Sequence, residues 1–314
     1  MKGAVGVIGA GYWGKKHVDE YTQLGHKVFV SDLSEENLDY CKEKFDVAGV
    51  YKDFEELLKN DEIRYVSVCT PNSTHFKIAR AVLESGKHVL VEKPFVMNSE
   101  DGKKLISIAK KQNLNIAVGH IFRFNNAIKF VREQLKGGEL GEPYLLKLSW
   151  TNLEPVFGDR DVLFDLAPHP FDIADFLFEH DPEEISCVGG AYRQMERVES
   201  AFINCTIRDT IVNVDVSWIT PRKTRELVLV GSKKTIFADC TRQKVSIYDN
   251  DKKSYQDVEI VPNNTIQDEL RDFIYKSDNG GTSVAGAEVG VKIIHLLELV
   301  EESLKKKRTI KVSF

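Results

Sequence analysis

The chain of 314 residues predicts an α/β protein: an N-terminal Rossmann dinucleotide-binding domain plus a C-terminal α+β domain with a large, mostly antiparallel open sheet. Three observations carry this expectation. A glycine-rich turn, VIGAGYWG (7–14), directly follows the first apolar run. Short apolar runs then alternate with amphipathic stretches as far as residue 120. From 184 onward, strand-like runs follow one another with only turn residues between them. One hydrophobic core rarely serves a chain of this length, so two domains are expected, 1–120 and 121–314.

Within the first domain, AVGVIGA (4–10), KVFVSD (27–32), YVSVCT (65–70), HVLVEK (88–93) and NIAVGH (115–120) read as buried strands. Their continuous apolar character fits a parallel sheet covered on both faces. Helical patterns lie between them at 34–45, 53–60, 74–86 and 99–112; Ser34 is a plausible cap for the first, which carries acidic residues in its opening turn. Past 120 come a helix (125–138), a strand around YLLKLSW (144–150), and the stretch FDLAPHPFD (164–172) leading into another helix. Seven strand-like runs between 184 and 262, two helices (265–276 and 284–306) and a terminal strand complete the chain.

Composition excludes several classes. Hydrophobic residues make up 42% and charged residues 29%, with a net charge of −5, as in an ordinary globular protein without the basic character of nucleic-acid binders. No apolar run approaches the roughly 18 residues of a membrane span. The N-terminal apolar run leads into a glycine turn rather than a signal cleavage site. Five scattered cysteines form no CxxC pair and the histidines show no ligand spacing, so neither a disulfide framework nor a metal is expected, and a cytoplasmic location fits.

Gly9, Gly11 and Gly14 have GxGxxG spacing between a strand and a helix. The first permits a tight turn, the second lets a pyrophosphate approach the backbone, and the third lets helix and strand pack closely. Tyr12 and Trp13, between the last two, are grouped with the cofactor site. Asp32 ends the second strand 18 residues after Gly14. A carboxylate there suits the ribose hydroxyls of NAD and repels the extra phosphate of NADP, and no Arg or Lys lies between Ser31 and Tyr40. A plain turn-capping role for Asp32 is the alternative.

Thr70, Pro71 and Asn72 follow the third clear strand, on the crevice edge where ligands bind in such sheets, with Ser73 or Thr74 as a helix cap and His75 just beyond. Glu92, Lys93 and Pro94 end the next strand. A lysine in a partly desolvated cleft can donate a charged hydrogen bond to a substrate oxygen, although Lys-Pro at a strand end also fits a solvated turn.

This series of motifs resembles the glucose–fructose oxidoreductase / inositol dehydrogenase / rhizopine-catabolism family of nicotinamide-dependent oxidoreductases. GxGxxG, TPNSTH (70–75) and EKP (92–94) are followed by GHIFRF (119–124), GELGEP (138–143), DLAPHPFD (165–172) and a W-x-x-P element from Trp218 to Pro221. The resemblance covers nearly the whole chain and implies that Lys93, Asp165 and His169 serve the reacting hydroxyl. It also implies that the Lys93–Pro94 bond is cis and that Arg123, Asn152 and Asp172 line the substrate side. The chain departs from the family pattern at Ala167, where a glycine is usual, at Pro168 and Pro170, and in GDRDVLF (158–164), which replaces a glycine run.

Oxidising a secondary alcohol requires a proton acceptor near neutral pKa within hydrogen-bond reach. Neutral imidazole suits this, with a carboxylate fixing its tautomer, so His169 is expected as base, Asp165 as its orienter and Lys93 as electrostatic partner. Lys93 as base is the close alternative. A structural reading remains beside the chemical one: Pro168 and Pro170 fit the first turn of a helix entered at Ala167, with Ile173, Phe176 and Leu177 as its apolar face. Asp165 and His169 are then not expected one turn apart on a regular helix.

The resulting expectation is a cytoplasmic NAD-dependent dehydrogenase that oxidises a ring secondary alcohol of a sugar, sugar nucleotide or cyclic polyol, or runs the reverse. The DLAPH variant inclines the reading to a sugar nucleotide. No nucleic-acid or membrane partner is expected. The resemblance implies a homodimer or homotetramer formed through the outer face of the second-domain sheet. The rival readings are a non-catalytic NAD-binding sensor and a reductase of other carbonyls or of double bonds.

Overall fold

The computed structural model describes residues 3–157, 160–194 and 196–314. Gly158 and Asp159, the first two residues of GDRDVLF, lie outside them. The chain forms two compact units, one from residues 1–121 with 264–294 and the other from 122–263 with 295–314.

The first unit opens β1 (Ala4–Ile8), α1 (Tyr12–Gln23), β2 (Val28–Ser31), α2 (Glu35–Lys44), β3 (Gly49–Tyr51) and α3 (Phe54–Leu58). It continues with β4 (Ile63–Val68), α4 (His75–Glu84), β5 (His88–Val91), α5 (Ser99–Gln112) and β6 (Ile116–Val118). The six strands are parallel in the order β3-β2-β1-β4-β5-β6. The order reverses between β1 and β4, and a crevice at such a switch point, past the carboxyl ends of the strands, is where these sheets bind ligands. Strands β1 and β2 are buried along their whole length, as their unbroken apolar runs require. Ser34 caps α2 by accepting from the Asn37 amide, with Glu35 and Glu36 in the first turn. The three-residue β3 has no alternating or continuous apolar signal, and the sequence does not reveal it.

In the second unit, α6 (Asn126–Lys136) and β7 (Pro143–Leu153) precede α7 (Val162–Leu166) and α8 (Pro168–Phe178). Then come β8 (Glu184–Gly190), β9 (Ser200–Ile207), β10 (Thr210–Ser217), β11 (Ile219–Gly231), β12 (Lys234–Asp239), β13 (Lys244–Asp249) and β14 (Ser254–Val258). All named pairings in this sheet are antiparallel except β7 with β10. One face carries Leu146, Leu148 and Trp150 of β7, Val212, Val214 and Val216 of β10, and Leu227 and Leu229 of β11, all buried. The period-2 alternation leaves Phe202 and Ile211 exposed on the other.

The chain ends with α9 (Thr265–Asn279), α10 (Ala287–Lys306) and β15 (Ile310–Lys311), the last pairing with β8. Residues 264–294 belong with the first unit, whereas the sequence alone groups them with the second. The reason is apolar: Leu270 and Phe273 of α9 share one buried cluster with Val18 and Tyr21 of α1 and with Val5 and Val28 of the sheet. Polar contacts reinforce it, since Asn264 and Gln267 both donate to the Glu20 carboxylate. None of the described helices is long and apolar enough to cross a membrane.

The start of α6 illustrates how the second unit is pinned. Asn125 is buried; its Oδ1 accepts from the Ala127 and Ile128 amides at 3.0 and 3.2 Å, and its Nδ2 donates to the Cys240 carbonyl at 2.8 Å. Replacing Asn125 with Ala removes the cap and strands a buried carbonyl. The expected cost is about 2–4 kcal/mol, read as a lower urea midpoint; a midpoint equal to wild type refutes this role.

Candidate functional site

On the first unit, the glycines of the β1–α1 turn have separate jobs. Gly9 has φ +91°, a left-handed conformation that L side chains resist, and a Cβ there would meet the Cys69 carbonyl oxygen at 2.7 Å. A Cβ on Gly14 would lie 1.7 Å from the Gly9 carbonyl oxygen. Around Gly11 a Cβ would meet nothing within 4 Å. Strand and turn thus require the first and third glycines, while the second faces open space, as a pyrophosphate cradle needs. Gly11 also begins α1 without a side-chain cap, leaving first-turn amides for a ligand.

The electrostatics agree. The first turn of α1 holds no acid; instead Lys15 and Lys16 sit beside the positive end of the helix dipole, an arrangement costing about 0.3–1 kcal/mol per charge. An anionic ligand offsets that cost. Lys16 Nζ stands 4.5 Å above the Tyr12 ring and 4.8 Å above the Trp13 ring, and Lys15 Nζ donates to Asn37 Oδ1 at 2.9 Å. Neither lysine carries a sequence signal of this position.

Asp32 is tethered to the same turn. Its Oδ2 accepts from the Ala10 amide at 2.6 Å and its Oδ1 from the Ser34 amide at 2.8 Å. The carboxylate therefore does cap the turn after β2, and it also lies against the glycine turn where an adenosine ribose is bound in such folds.

Thr70, Pro71 and Asn72 follow β4 at the crevice edge, Pro71 exposed and the other two half-buried. Thr74 does not cap α4; its hydroxyl lies 2.7 Å from Thr70 Oγ1 and from the Pro71 carbonyl. His75 is fully buried, with Nδ1 2.8 Å from the Pro94 carbonyl and Nε2 2.9 Å from the Thr70 carbonyl. Burial pushes its pKa down despite these two acceptors. Expected among the cofactor-binding residues, His75 instead ties the two crevice loops together from behind.

Glu92 is likewise turned inward. It bonds His17 Nε2 at 3.1 Å and accepts from the Lys93 amide at 3.2 Å. Burial pushes its carboxyl up, but the bond to His17 and the charges of His17 and Lys93 outweigh that and hold it below the usual range. His17, one helical turn past the glycine motif, carries no sequence signal of this role. Lys93 is half-buried and its bond to Pro94 is cis.

On the second unit, a 3-10 turn at Ile121–Phe124 supplies Arg123, which is buried and bonds Asp172 Oδ1 through Nε and Asp175 Oδ2 through Nη2, each at 2.5 Å. Burial opposes the cation, yet the two carboxylates hold its pKa above the ordinary value. The pair Arg123–Asp172, expected to line the substrate side, is thus an internal ion pair joining the turn to α8.

Pro168 opens α8 at its first position, and Pro170 stands third, both where no amide donor is needed. Ala167 stays in the right-handed helical region (φ −68°, ψ −20°), so α7 runs almost directly into α8. Asp165 and His169 are consequently four residues apart on a nearly continuous helical path, where side chains are neighbours. The two prolines leave that spacing intact because both fall within a first turn. Asp165 Oδ2 accepts from Trp218 Nε1 at 3.2 Å. His169 is buried, edge-on to Phe122 at 5.1 Å, and Phe122 in turn packs on Trp150 at 5.2 Å.

Asn152 ends the same buried row of β7. Its Nδ2 donates to Glu154 and its Oδ1 accepts from Arg225 Nη2 at 2.9 Å. Arg225 Nη1 also donates to the carbonyls of Thr151 and Thr224 at 3.0 and 2.7 Å. Burial pulls its pKa down to about 10, although Asp165 and Glu154 act the other way. Arg225 was not singled out from the sequence, although RELVLVG holds the signal: it shares strand parity with the buried Leu227 and Leu229. Among the described residues, no group of three or more His, Cys, Asp or Glu is placed to hold a metal ion.

Two family models match the chain: "Oxidoreductase family, NAD-binding Rossmann fold" over residues 4–120, and "GFO/IDH/MocA C-terminal domain" over 128–237. The myo-inositol 2-dehydrogenase of Thermotoga maritima is 25% identical, with 98% of each chain covered. The UDP-N-acetylglucosamine 3-dehydrogenase of Acidithiobacillus ferrooxidans is 28% identical over 77% of this chain and 76% of its own. A solved structure of that enzyme, GnnA, shares the fold with a TM-score of 0.87 at 24% identity, covering 98% of this chain and 99% of that one.

The glycines separate binding from folding. Gly14→Ala is expected to destabilise the first unit by about 1–3 kcal/mol or more through overpacking. Gly11→Ala is expected to leave the melting temperature unchanged while weakening NADH binding, read by fluorescence titration. Equal melting temperatures for the two variants contradict this assignment.

Proposed function

We propose that this chain, which belongs to the glucose–fructose oxidoreductase / inositol dehydrogenase / MocA family of oxidoreductases, is an NAD-dependent dehydrogenase of a ring secondary alcohol in a sugar, sugar nucleotide or cyclic polyol. The observation that carries the cofactor half is the Asp32 carboxylate held by the Ala10 amide beside the open Gly11 cradle. Relatives named for myo-inositol and UDP-N-acetylglucosamine support the substrate class.

The nicotinamide, when bound, supplies the hydride acceptor. The chain supplies the rest. Gly9, Gly11 and the α1 amides hold the pyrophosphate, with Tyr12, Trp13 and the crevice loop Thr70–Asn72 beside it. Asp32 accepts from the ribose hydroxyls and disfavours a 2′-phosphate. His169 takes the substrate hydroxyl proton, Asp165 orients the imidazole, and Lys93 donates to the oxygen as negative charge develops. The Trp218 indole bond fixes one oxygen of Asp165, which supports an orienting rather than a proton-transferring role. Self-association through the sheet face on which Phe202 and Ile211 stand exposed is part of the same reading.

Replacing His169 with Ala is expected to lower kcat about 10²- to 10⁴-fold while leaving the NADH dissociation constant close to wild type; normal turnover removes His169 from the mechanism. Asp32→Ala is expected to weaken NADH binding and narrow the gap to NADPH. An unchanged ratio of the two affinities excludes the ribose role. NADH that binds but never forms from NAD with any sugar, sugar nucleotide or polyol favours a sensor instead.

A further inference from the structure

The polar end of the second unit's buried face contains one cation that the reaction scheme leaves unused. Arg225 lies on β11 opposite Trp150 of β7, in the same strand parity as Leu227 and Leu229. Its guanidinium has five N–H donors. Nη1 uses two on the carbonyls of Thr151 and Thr224, and Nη2 uses one on Asn152 Oδ1. All three acceptors are neutral, and no carboxylate among the described residues lies within ion-pairing distance. Arg123, 6% exposed in the same unit, binds two carboxylates directly. Nε and the second Nη2 hydrogen of Arg225 remain, on a side chain that is only partly buried.

We infer that Arg225 is a substrate-orienting residue, whose remaining donors bind a pair of adjacent oxygens on a neutral polyhydroxylated ring. The inference rests on the dehydrogenase reading above and names the substrate class for the same site. Three bonds to fixed acceptors hold the guanidinium plane without salt-bridge flexibility, which is the condition for a planar donor to select an oxygen pair. The sign of the ligand follows from the surroundings. Glu154 accepts from Asn152 Nδ2 while Asn152 Oδ1 accepts from Arg225, and Asp165 also acts electrostatically on the guanidinium, so its single positive charge already faces two negative ones. A ligand carboxylate adds a third and is repelled, whereas two vicinal hydroxyls accept hydrogen bonds without adding charge. The site therefore favours a neutral sugar or cyclitol ring over a uronic acid.

The test uses the full chain with bound NADH. Calorimetric titration compares neutral rings (myo-inositol, glucose, UDP-N-acetylglucosamine) with acidic ones (D-glucuronate, UDP-glucuronate) in wild type, Arg225→Met and Arg225→Lys. Wild type is expected to bind at least one neutral ring and to reject its acidic counterpart. Arg225→Met is expected to weaken the neutral ligand about 10- to 100-fold and, where turnover is measured, to raise KM more than it lowers kcat. Arg225→Lys, which restores charge without the fork, is expected not to recover that loss. Unchanged NADH affinity and melting temperature show that both variants fold. Preference for the uronic acid, neutral binding unaffected by Arg225→Met, or no binding of any ring to wild type each overturns the inference. Arg225-dependent binding of a neutral ring without NADH formation from NAD instead overturns the dehydrogenase reading and leaves this one standing.

Discussion

The carbonyl oxygen of Gly9 fills the space in which a side chain at Gly14 would begin, 1.7 Å from where that Cβ would stand. This close approach lets α1 start immediately at the carboxyl end of β1, and the cofactor half of the molecule depends on it. With α1 seated there, Gly11 faces open space at the helix N-terminus, and the Ala10 amide reaches the Asp32 carboxylate. Val18 and Tyr21 of α1 are set against the buried sheet and against Leu270 and Phe273 of α9. One missing methyl group thus couples packing to ligand electrostatics.

Charge burial organises the second unit in two opposite ways. Arg123 sits between Asp172 and Asp175, a balanced arrangement in which losing one partner leaves an uncompensated charge at a cost of about 3–5 kcal/mol. Arg225 is held by carbonyls and an amide, with carboxylates felt at a distance. The first arrangement anchors α8 and so sets the position of His169. The second preserves donor capacity at the end of the sheet beside Asn152. A partly buried cation with neutral partners carries a desolvation cost, and such costs concentrate where a ligand is to be met.

Much of the cofactor half was legible in the chain, because its determinants are local. The glycine spacing, Ser34 as a cap and the apolar strands each act within a few residues of where they are read. The same locality made the start of α8 legible, down to Pro168 in its first turn. What the sequence does not show involves partners far apart in the chain. His75 and Glu92 resembled ligand contacts because they adjoin TPN and EKP, yet they bond the Pro94 carbonyl and His17. Arg123 and Asp172, assigned to the substrate from neighbouring motifs, satisfy each other across 49 residues.

By itself the sequence determined the Rossmann sheet, the strand-rich second unit, the glycine turn after β1 and the Asp32 carboxylate at the end of β2, since each follows from periodicity, glycine geometry or a cap. Only the tertiary structure decided which polar side chains face inward as struts and which keep free donors. It also decided that Leu270 and Phe273 carry residues 264–294 into the first unit. Hydrogen-bond partnership and apolar burial are settled between segments that the chain order keeps apart, and strand parity shows only which face a residue such as Arg225 occupies, not what it finds there.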